Sequence, residues 1–415
     1  MEKLEEKTIY QIKTRKDVIE GIFIPSHEKD IILLKQKTGY NIGIKKKEIT
    51  EVKKLKKLKE MPEIKVEQDK KLPGIAILNT GGTILSKVDY RTGGVYPIQK
   101  PSELLEMFPD IKNQVKITEI ASVVNTDSSN ITPKHWKLIA KKVAELLNKP
   151  YNQGIIITHG TDTIHYTSAA LSFMLKNLGK PVILTYSQKS VDRGSSDAFM
   201  NIKCAIHAAI SNIAGVFVVG HENSDDNFCS LHLGTKVRKM HSSKRDAFKS
   251  INETPVARID PKGEIHFITE KFKKKDQKLK AKIETDFEEK VAIIKFYPGI
   301  DPDILDYYIK KKYKGIIIEG FGLGQITNEG KYSWLNVVKK AIEKGIQIYM
   351  TTQTIYGRVD PYVYTPAREF EKLGVIYLKD LHSETAYVKL GWCLANKKSM
   401  LDNISHEFNE KLAYS

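Results

Sequence analysis

"GIIITHGTDTIHY", residues 154–166, passes from an apolar run straight into a turn of His, Gly, Thr and Asp, and then into a helix-like segment. Three consecutive Ile residues with no polar alternation describe a strand buried on both faces, the signature of a parallel sheet covered by helices. The turn that follows has two readings. Thr161 or Asp162 caps the next helix, or the turn presents chemistry where open α/β sheets bind ligands, beyond the carboxyl ends of their strands.

The same texture extends in both directions. "GIAILNTGGTI" (74–84), "VKITEIASV" (115–123), "PVILTYS" (181–187) and "GVFVVG" (215–220) alternate with helix-like stretches at Pro133 to Asn148, "ALSFMLKNL" and "MNIKCAIHAAI". This order predicts a large α/β domain over 73–270 with a largely parallel sheet. A charged segment, "KFKKKDQKLKAK", opens a linker expected at 271–290. A smaller α/β domain over 291–415 follows, with "VAIIKFYPG", "GIIIEGFGLG", "IQIYMTTQ" and "GVIYL" as its strands. Residues 1–72 differ, with short β-type runs and turn signals that predict a small β-barrel. Within them Ile49, Val52, Leu55 and Leu58 recur every three residues in a basic stretch, which predicts an amphipathic connecting helix.

Composition excludes several classes. The 415 residues carry three Cys (Cys204, Cys229, Cys393) without a CxxC, so neither a disulfide framework nor a zinc knuckle is expected. No apolar run approaches the roughly 18 residues that cross a bilayer, and a cytoplasmic protein is expected. The net charge of +17 suits a polyanion such as RNA, and equally a lysine-rich solvated surface.

Candidate chemistry gathers at strand ends. "NTGGTI" is neither a dinucleotide fingerprint nor a phosphate loop, but Gly81 and Gly82 allow close backbone approach and set Thr83 at the cleft mouth. "NTDSSN" (125–130) supplies Asp127 and Ser128, suited to the amino and carboxylate groups of an amino acid or to simple turn bonding. Thr, Ser, Asp and Gly converging without a metal cluster describe covalent hydrolysis of a small polar molecule. A threonine hydroxyl needs a base. His159 is one candidate, although a histidine at a strand end commonly bonds a carbonyl; a lysine is another, and composition does not select which.

"LNTGGTI" together with "ITHGTDTIHYTSAALSFML" resembles the two signature segments of the type I/II L-asparaginase family, and "NTDSSNITPKHW", "SSDAFMNI", "GTKVRKMHSSKRDAF", "GIIIEGFGLG" and "MTTQTIYG" follow in family order. The resemblance implies Thr83 as the first catalytic threonine, Thr161 and Asp162 as the second pair, and Lys236 as the catalytic lysine. It places Asp127 and Ser128 on the substrate's amino and carboxylate groups, with Gly82 and Gly160 beside the substrate. It also implies a tyrosine on a loop over the site, Tyr96 with Tyr90 in reserve. One departure is Tyr186, where the family usually has Gly beside the pocket; it is expected to narrow the pocket or meet a partner.

The extension "IEGIFIPS…ILLKQKTGYNIGI" is absent from free-standing asparaginases and resembles the D-subunit family of archaeal glutamyl-tRNA(Gln) amidotransferases. What that implies is an amidase that hydrolyses glutamine or asparagine. It would supply ammonia to a partner, the E-subunit, which binds tRNA(Gln) and uses ATP and magnesium. No cofactor is expected in this chain, and a homodimer within a heterotetramer is implied. The alternative is a stand-alone L-asparaginase with an added N-terminal unit.

Overall fold

The computed structural model describes residues 8–24, 30–36, 41–57, 71–81, 86–88, 95–97, 103–105, 108–189, 195–270 and 272–401, with Leu4, Glu5, Asp69 and Ile84. Strands β1 (Thr8–Thr14), β2 (Val18–Ile24), β3 (Ile31–Lys35), β4 (Asn41–Lys45) and β5 (Ile49–Lys57) make one antiparallel sheet in the order β4-β3-β2-β1-β5. Tyr10, Ile12, Ile32, Leu34 and Ile44 form its core. Among the described residues β4 and β5 do not pair, so in place of the expected barrel stands an open sheet.

The expected connecting helix is also corrected: Ile49 to Lys57 is strand β5. Thr14 faces Ile49 and Lys13 faces Glu51, which leaves Thr50 bulged out; a second register shift falls between Ile9 and Tyr10. A bulge adds one residue to one strand. Ile49 and Val52 therefore pack against the same small core although three residues apart, and a strand with a bulge imitates helical spacing. Leu58 lies outside the described residues.

The large domain contains β6 (Gly74–Asn79), the hairpin β7 (Ser86–Val88) and β8 (Val95–Pro97), then β9 (Lys116–Ser122), β10 (Asn152–Thr158), β11 (Leu175–Lys176), β12 (Pro181–Thr185) and β13 (Gly215–His221). It continues with β14 (Cys229–Leu233), the hairpin β15 (Val237–Lys239) and β16 (Phe248–Ser250), then β17 (Ala257–Ile259), β18 (Ile265–Phe267) and β19 (Lys282–Ile283). Its main sheet runs β18-β17-β14-β13-β12-β10-β6-β9, parallel from β9 through β13 and antiparallel beyond.

Side chains of a strand alternate between faces, and here both faces are core. Ile155 and Ile157 of β10 pack with Ala76, Leu78, Val182 and Leu184 under the helices Pro133–Leu147 and Ile164–Met174. Ile156 points the other way, with Ile75, Ile77 and Ile183, under the helix Ala198–Ile210. Continuous burial is why these strands lack a polar phase. Pro133 begins its helix at a position that needs no N–H, and Thr132 and His135 exchange capping bonds ahead of it.

The segment after Lys271 is more than a solvated linker. Ala214 bridges Lys273, Lys275 Nζ donates to the Ile210 carbonyl at 3.0 Å, and β19 pairs with β11. Many of its lysines stay exposed, which is the property its composition shows. The C-terminal domain is a parallel sheet of β20 (Val291–Lys295), β21 (Gly315–Gly320), β22 (Gln347–Thr352) and β23 (Ile376–Tyr377), closed by the helix Ser383–Asn396. That helix packs against Ile164–Met174 of the large domain. Among the described residues no helix is long and apolar enough to cross a membrane.

Tyr186 turns into this core. It is fully buried, its ring lies 4.4 Å from that of Phe248, and its hydroxyl donates to the Arg245 carbonyl at 3.2 Å. Room for the phenol comes from Gly220, where a Cβ would lie 2.1 Å from the tyrosine oxygen. A partner is therefore not what it meets here; it backs the β15–β16 hairpin from behind. Gly220→Ala is expected to cost about 1–3 kcal/mol by overpacking, read from denaturant unfolding; an unchanged midpoint would mean the ring has space to move.

Candidate active site

Parallel strands bring their carboxyl ends to one edge, so the turns after β6, β9 and β10 meet. Thr80 donates to the Thr158 carbonyl from both its N–H (3.1 Å) and its hydroxyl (2.9 Å), and Asn79 Oδ1 accepts from Gly81 N–H at 3.0 Å. These bonds tie the turn after β6 to the end of β10. Gly82 and Thr83 lie outside the described residues, as does Tyr90. Tyr96 belongs to β8, opposite Lys87, and its side chain is likewise outside them.

The turn after β10 rests on the one after β9. Ser128 Oγ accepts the Asp162 N–H at 3.2 Å, and the Thr163 hydroxyl donates to the Ser128 carbonyl at 2.7 Å. Gly160 permits this approach, since a Cβ there would sit 2.7 Å from Ser128 Oγ. Because Ser128 accepts with its oxygen, its hydroxyl hydrogen is directed elsewhere and can serve a bound carboxylate. Asp127 beside it is exposed.

The cap reading of the turn does not hold. The helix starts at Ile164, and its N-cap residue, Thr163, makes no side-chain cap bond. Thr161 and Asp162 instead face a lysine: Lys239 Nζ donates to Thr161 Oγ1 at 2.7 Å and to Asp162 Oδ1 at 2.8 Å.

That lysine is not Lys236. Lys236 is buried and bonds Asp380 Oδ2 at 2.9 Å, on the side of the C-terminal domain. Residues three apart on an extended chain face opposite ways, so Lys236 and Arg238 point to Asp380 and Glu384 while Lys239 points to Thr161. The clue available in "TKVRK" was this alternation, but it says only that the two lysines diverge. Which one reaches Thr161 depends on where the hairpin is attached.

His159 is a core histidine. The Gly160 carbonyl can only accept, so His159 Nδ1–H donates to it (2.8 Å) and Nε2 of the neutral ring accepts from the Thr167 hydroxyl (2.9 Å), whose oxygen in turn accepts the Trp136 Nε1–H at 3.1 Å. Burial pushes its pKa down to about 4, outweighing the Gly160 bond, and the ring stays neutral. Glu384 is the opposite case: burial pushes its carboxyl up, but the His382 bond and charge and the Arg238 guanidinium hold it well below the usual carboxylate range.

Beside the lysine lies a cavity of about 370 Å³, lined by Asp162, Lys239, Arg238, His165, Met240 and their neighbours. Its size suits an amino-acid-sized molecule. An amine within hydrogen-bond reach of both a hydroxyl and a carboxylate, with a donor hydroxyl and an exposed carboxylate one turn away, forms an arrangement that can move a proton on and off a threonine.

Sequence similarity now bears on this geometry. Residues 74–273 match the family "Asparaginase, N-terminal", residues 290–408 the "Glutaminase/Asparaginase C-terminal domain" and residues 4–55 the "GatD N-terminal domain". The chain is 44% identical over 402 residues to the D-subunit of the glutamyl-tRNA(Gln) amidotransferase of Pyrococcus abyssi, covering 94% of this chain and 90% of that one. The chain belongs to this D-subunit family. Its member from Methanococcus maripaludis is 42% identical over 404 residues, covering 94% and 95% of the two chains.

Among solved structures, the thermostable L-asparaginase of Thermococcus kodakarensis superposes with a TM-score of 0.69 at 30% identity, covering 82% of this chain and 97% of its own. L-asparaginase I of Vibrio cholerae gives 0.66 at 28% identity, with the same two coverages. The D-subunit family thus carries an asparaginase-like α/β core, and the N-terminal sheet is matched by a domain named for the family itself.

Proposed function

We propose that this chain is the amidase component of a tRNA-dependent amidotransferase, hydrolysing glutamine or asparagine and passing the ammonia to a partner E-subunit. The contact of Lys239 with Thr161 and Asp162, in a chain of the D-subunit family, carries the reading. The partner would bind Glu-tRNA(Gln), activate the glutamate with ATP and magnesium, and accept the ammonia to give Gln-tRNA(Gln). This chain itself uses no cofactor.

In this reading the Thr83 hydroxyl adds to the side-chain amide carbon, and Thr161, Lys239 and Asp162 handle its proton. The tetrahedral intermediate collapses, the C–N bond breaks, and the nitrogen leaves as ammonia after taking up a proton. Water then cleaves the threonine ester, releasing the acid and restoring the hydroxyl. Asp127 and Asp162 suit the substrate's ammonium group and Ser128 its carboxylate. Backbone N–H groups of the glycine turns, Gly82 and Gly160 among them, suit the developing oxyanion, and Tyr96 would contact the bound substrate. A homodimer inside a heterotetramer in the cytoplasm belongs to the same reading.

The test is ammonia release from glutamine and from asparagine by the purified chain, with and without the E-subunit, Glu-tRNA(Gln), ATP and magnesium. Release that rises strongly with partner and charged tRNA is the expected result. Fast asparagine hydrolysis indifferent to both would make the chain a free asparaginase, and no release from either amide under any condition would remove the amidase reading.

A further inference from the structure

The hairpin that carries Lys239 is gripped by the C-terminal domain at both ends. At its start, the Thr235 carbonyl accepts from Thr385 Oγ1 at 2.9 Å, Lys236 Nζ donates to Asp380 Oδ2 at 2.9 Å, and Arg238 Nε donates to Glu384 Oε1 at 2.6 Å. His382 sits between Glu384 Oε2 (3.1 Å) and the Thr235 carbonyl (3.1 Å). After β16, Asn252 Nδ2 donates to the carbonyls of Asp380 (2.9 Å) and Gly357 (2.8 Å), and its Oδ1 accepts the Gly357 N–H (2.9 Å). One short segment, 380–385, therefore meets three of the five residues from Thr235 to Lys239. It is itself anchored to the C-terminal sheet through Ser383, whose hydroxyl meets that of Thr351 at 2.8 Å.

This grip is poor at stabilising and good at placing. Lys236 is 1% exposed, yet Asp380 Oδ1 is buried with no hydrogen-bond partner among the described residues. An incompletely satisfied buried ion pair contributes little net stability, and apolar side chains of like size hold a fold as well. What charges supply here is direction. They draw Lys236 and Arg238, two apart on the extended chain, to one side, which leaves Lys239 on the other, toward Thr161.

We propose that Asp380 and Glu384 are positioning residues that set the reach of Lys239 to Thr161, so that docking of the C-terminal domain assembles the proton relay. The inference rests on the amidase reading for its kinetic test and on geometry alone for its structural one.

The experiment compares Glu384→Ala, Glu384→Gln and Val338→Ala in the complex with the E-subunit. Val338 is buried in the C-terminal core, within a separate cluster from the hairpin, and serves as a control for lost stability. Glu384→Ala is expected to lower kcat for glutamine about 10- to 100-fold, the scale of a small misplacement of a reacting group, with KM nearly unchanged. Glu384→Gln, which keeps an oxygen facing Arg238, is expected to recover most of that loss, and Val338→Ala to keep kcat despite a comparable fall in thermal stability. Crystal structures of the variants are expected to show Lys239 Nζ withdrawn from Thr161 Oγ1 only in Glu384→Ala. Unchanged kcat in Glu384→Ala, or an equal loss in Val338→Ala, overturns the proposal. If the wild-type complex releases no ammonia, the amidase reading fails, and the Lys239 to Thr161 separation in Glu384→Ala still decides this one.

Discussion

Lys239→Met is expected to lower kcat/KM for amide hydrolysis by about 10²- to 10⁴-fold, the range that a positioned proton-transfer group contributes. Met keeps most of the lysine stem and removes the nitrogen that holds Thr161 Oγ1 and Asp162 Oδ1 together. Little stability should be lost, because Asp162 is largely exposed and water replaces the amine. Lys236→Met is expected to act first on the fold. It leaves Asp380, already short of one partner, as a buried charge without its cation, at about 3–5 kcal/mol. Ammonia release and urea unfolding of the two variants separate the roles. A Lys239→Met enzyme with near-normal turnover would take Lys239 out of the chemistry, whichever lysine then remained.

Acidification is expected to produce the second large effect. Burial holds three histidines neutral: His159, with its pKa pushed down to about 4, and His165 and His232, pushed down to about 3. Unfolded histidine titrates near 6.5. Between these values the unfolded chain binds three protons that the folded chain refuses. The stability from keeping these rings neutral is complete above about pH 6.5 and is lost as pH falls toward their folded values. Near pH 5 the expected slope is about 4 kcal/mol per pH unit, three times the 1.36 kcal/mol of a single group. Carboxylates, Glu384 among them, protonate in the unfolded chain at about pH 4 to 4.5, so the window from about 6 to 5 is dominated by histidines, with His207, also lowered by burial, adding to the slope. Urea unfolding at half-unit steps reads the slope directly. Stability flat across that window would mean that these rings accept protons inside the fold.

Much of the large domain was legible beforehand because its strands are buried on both faces. Ile155, Ile156 and Ile157 need no partner to declare a parallel strand, and what must follow such a strand is a turn at the sheet's ligand-binding edge. The motifs around Thr83, Asp127, Ser128, Thr161 and Asp162 were therefore placed on strand ends from local pattern alone. Those strand-end turns are joined in the structure by bonds from Thr80 and to Ser128.

Local pattern misled where a long-range contact changed the period. β5 resembled a helix because bulges opposite β1 reset its inward phase, and a bulge is a property of two strands rather than one. Tyr186 looked like an intruder in a pocket until Gly220, well along the chain, proved to hold the space it fills. Sequence by itself determined the alternation of parallel strands and helices in the large domain and the turn that carries Thr161 and Asp162, since these follow from periodicity and adjacent residues, and its ordered motifs determined the family. Tertiary structure alone decided which lysine meets that turn. Lys236 and Lys239 are chemically identical and diverge by simple alternation, and the side each takes is visible only in contacts distant in sequence: Lys236 with Asp380, 144 residues on, and Lys239 with Thr161, 78 residues back.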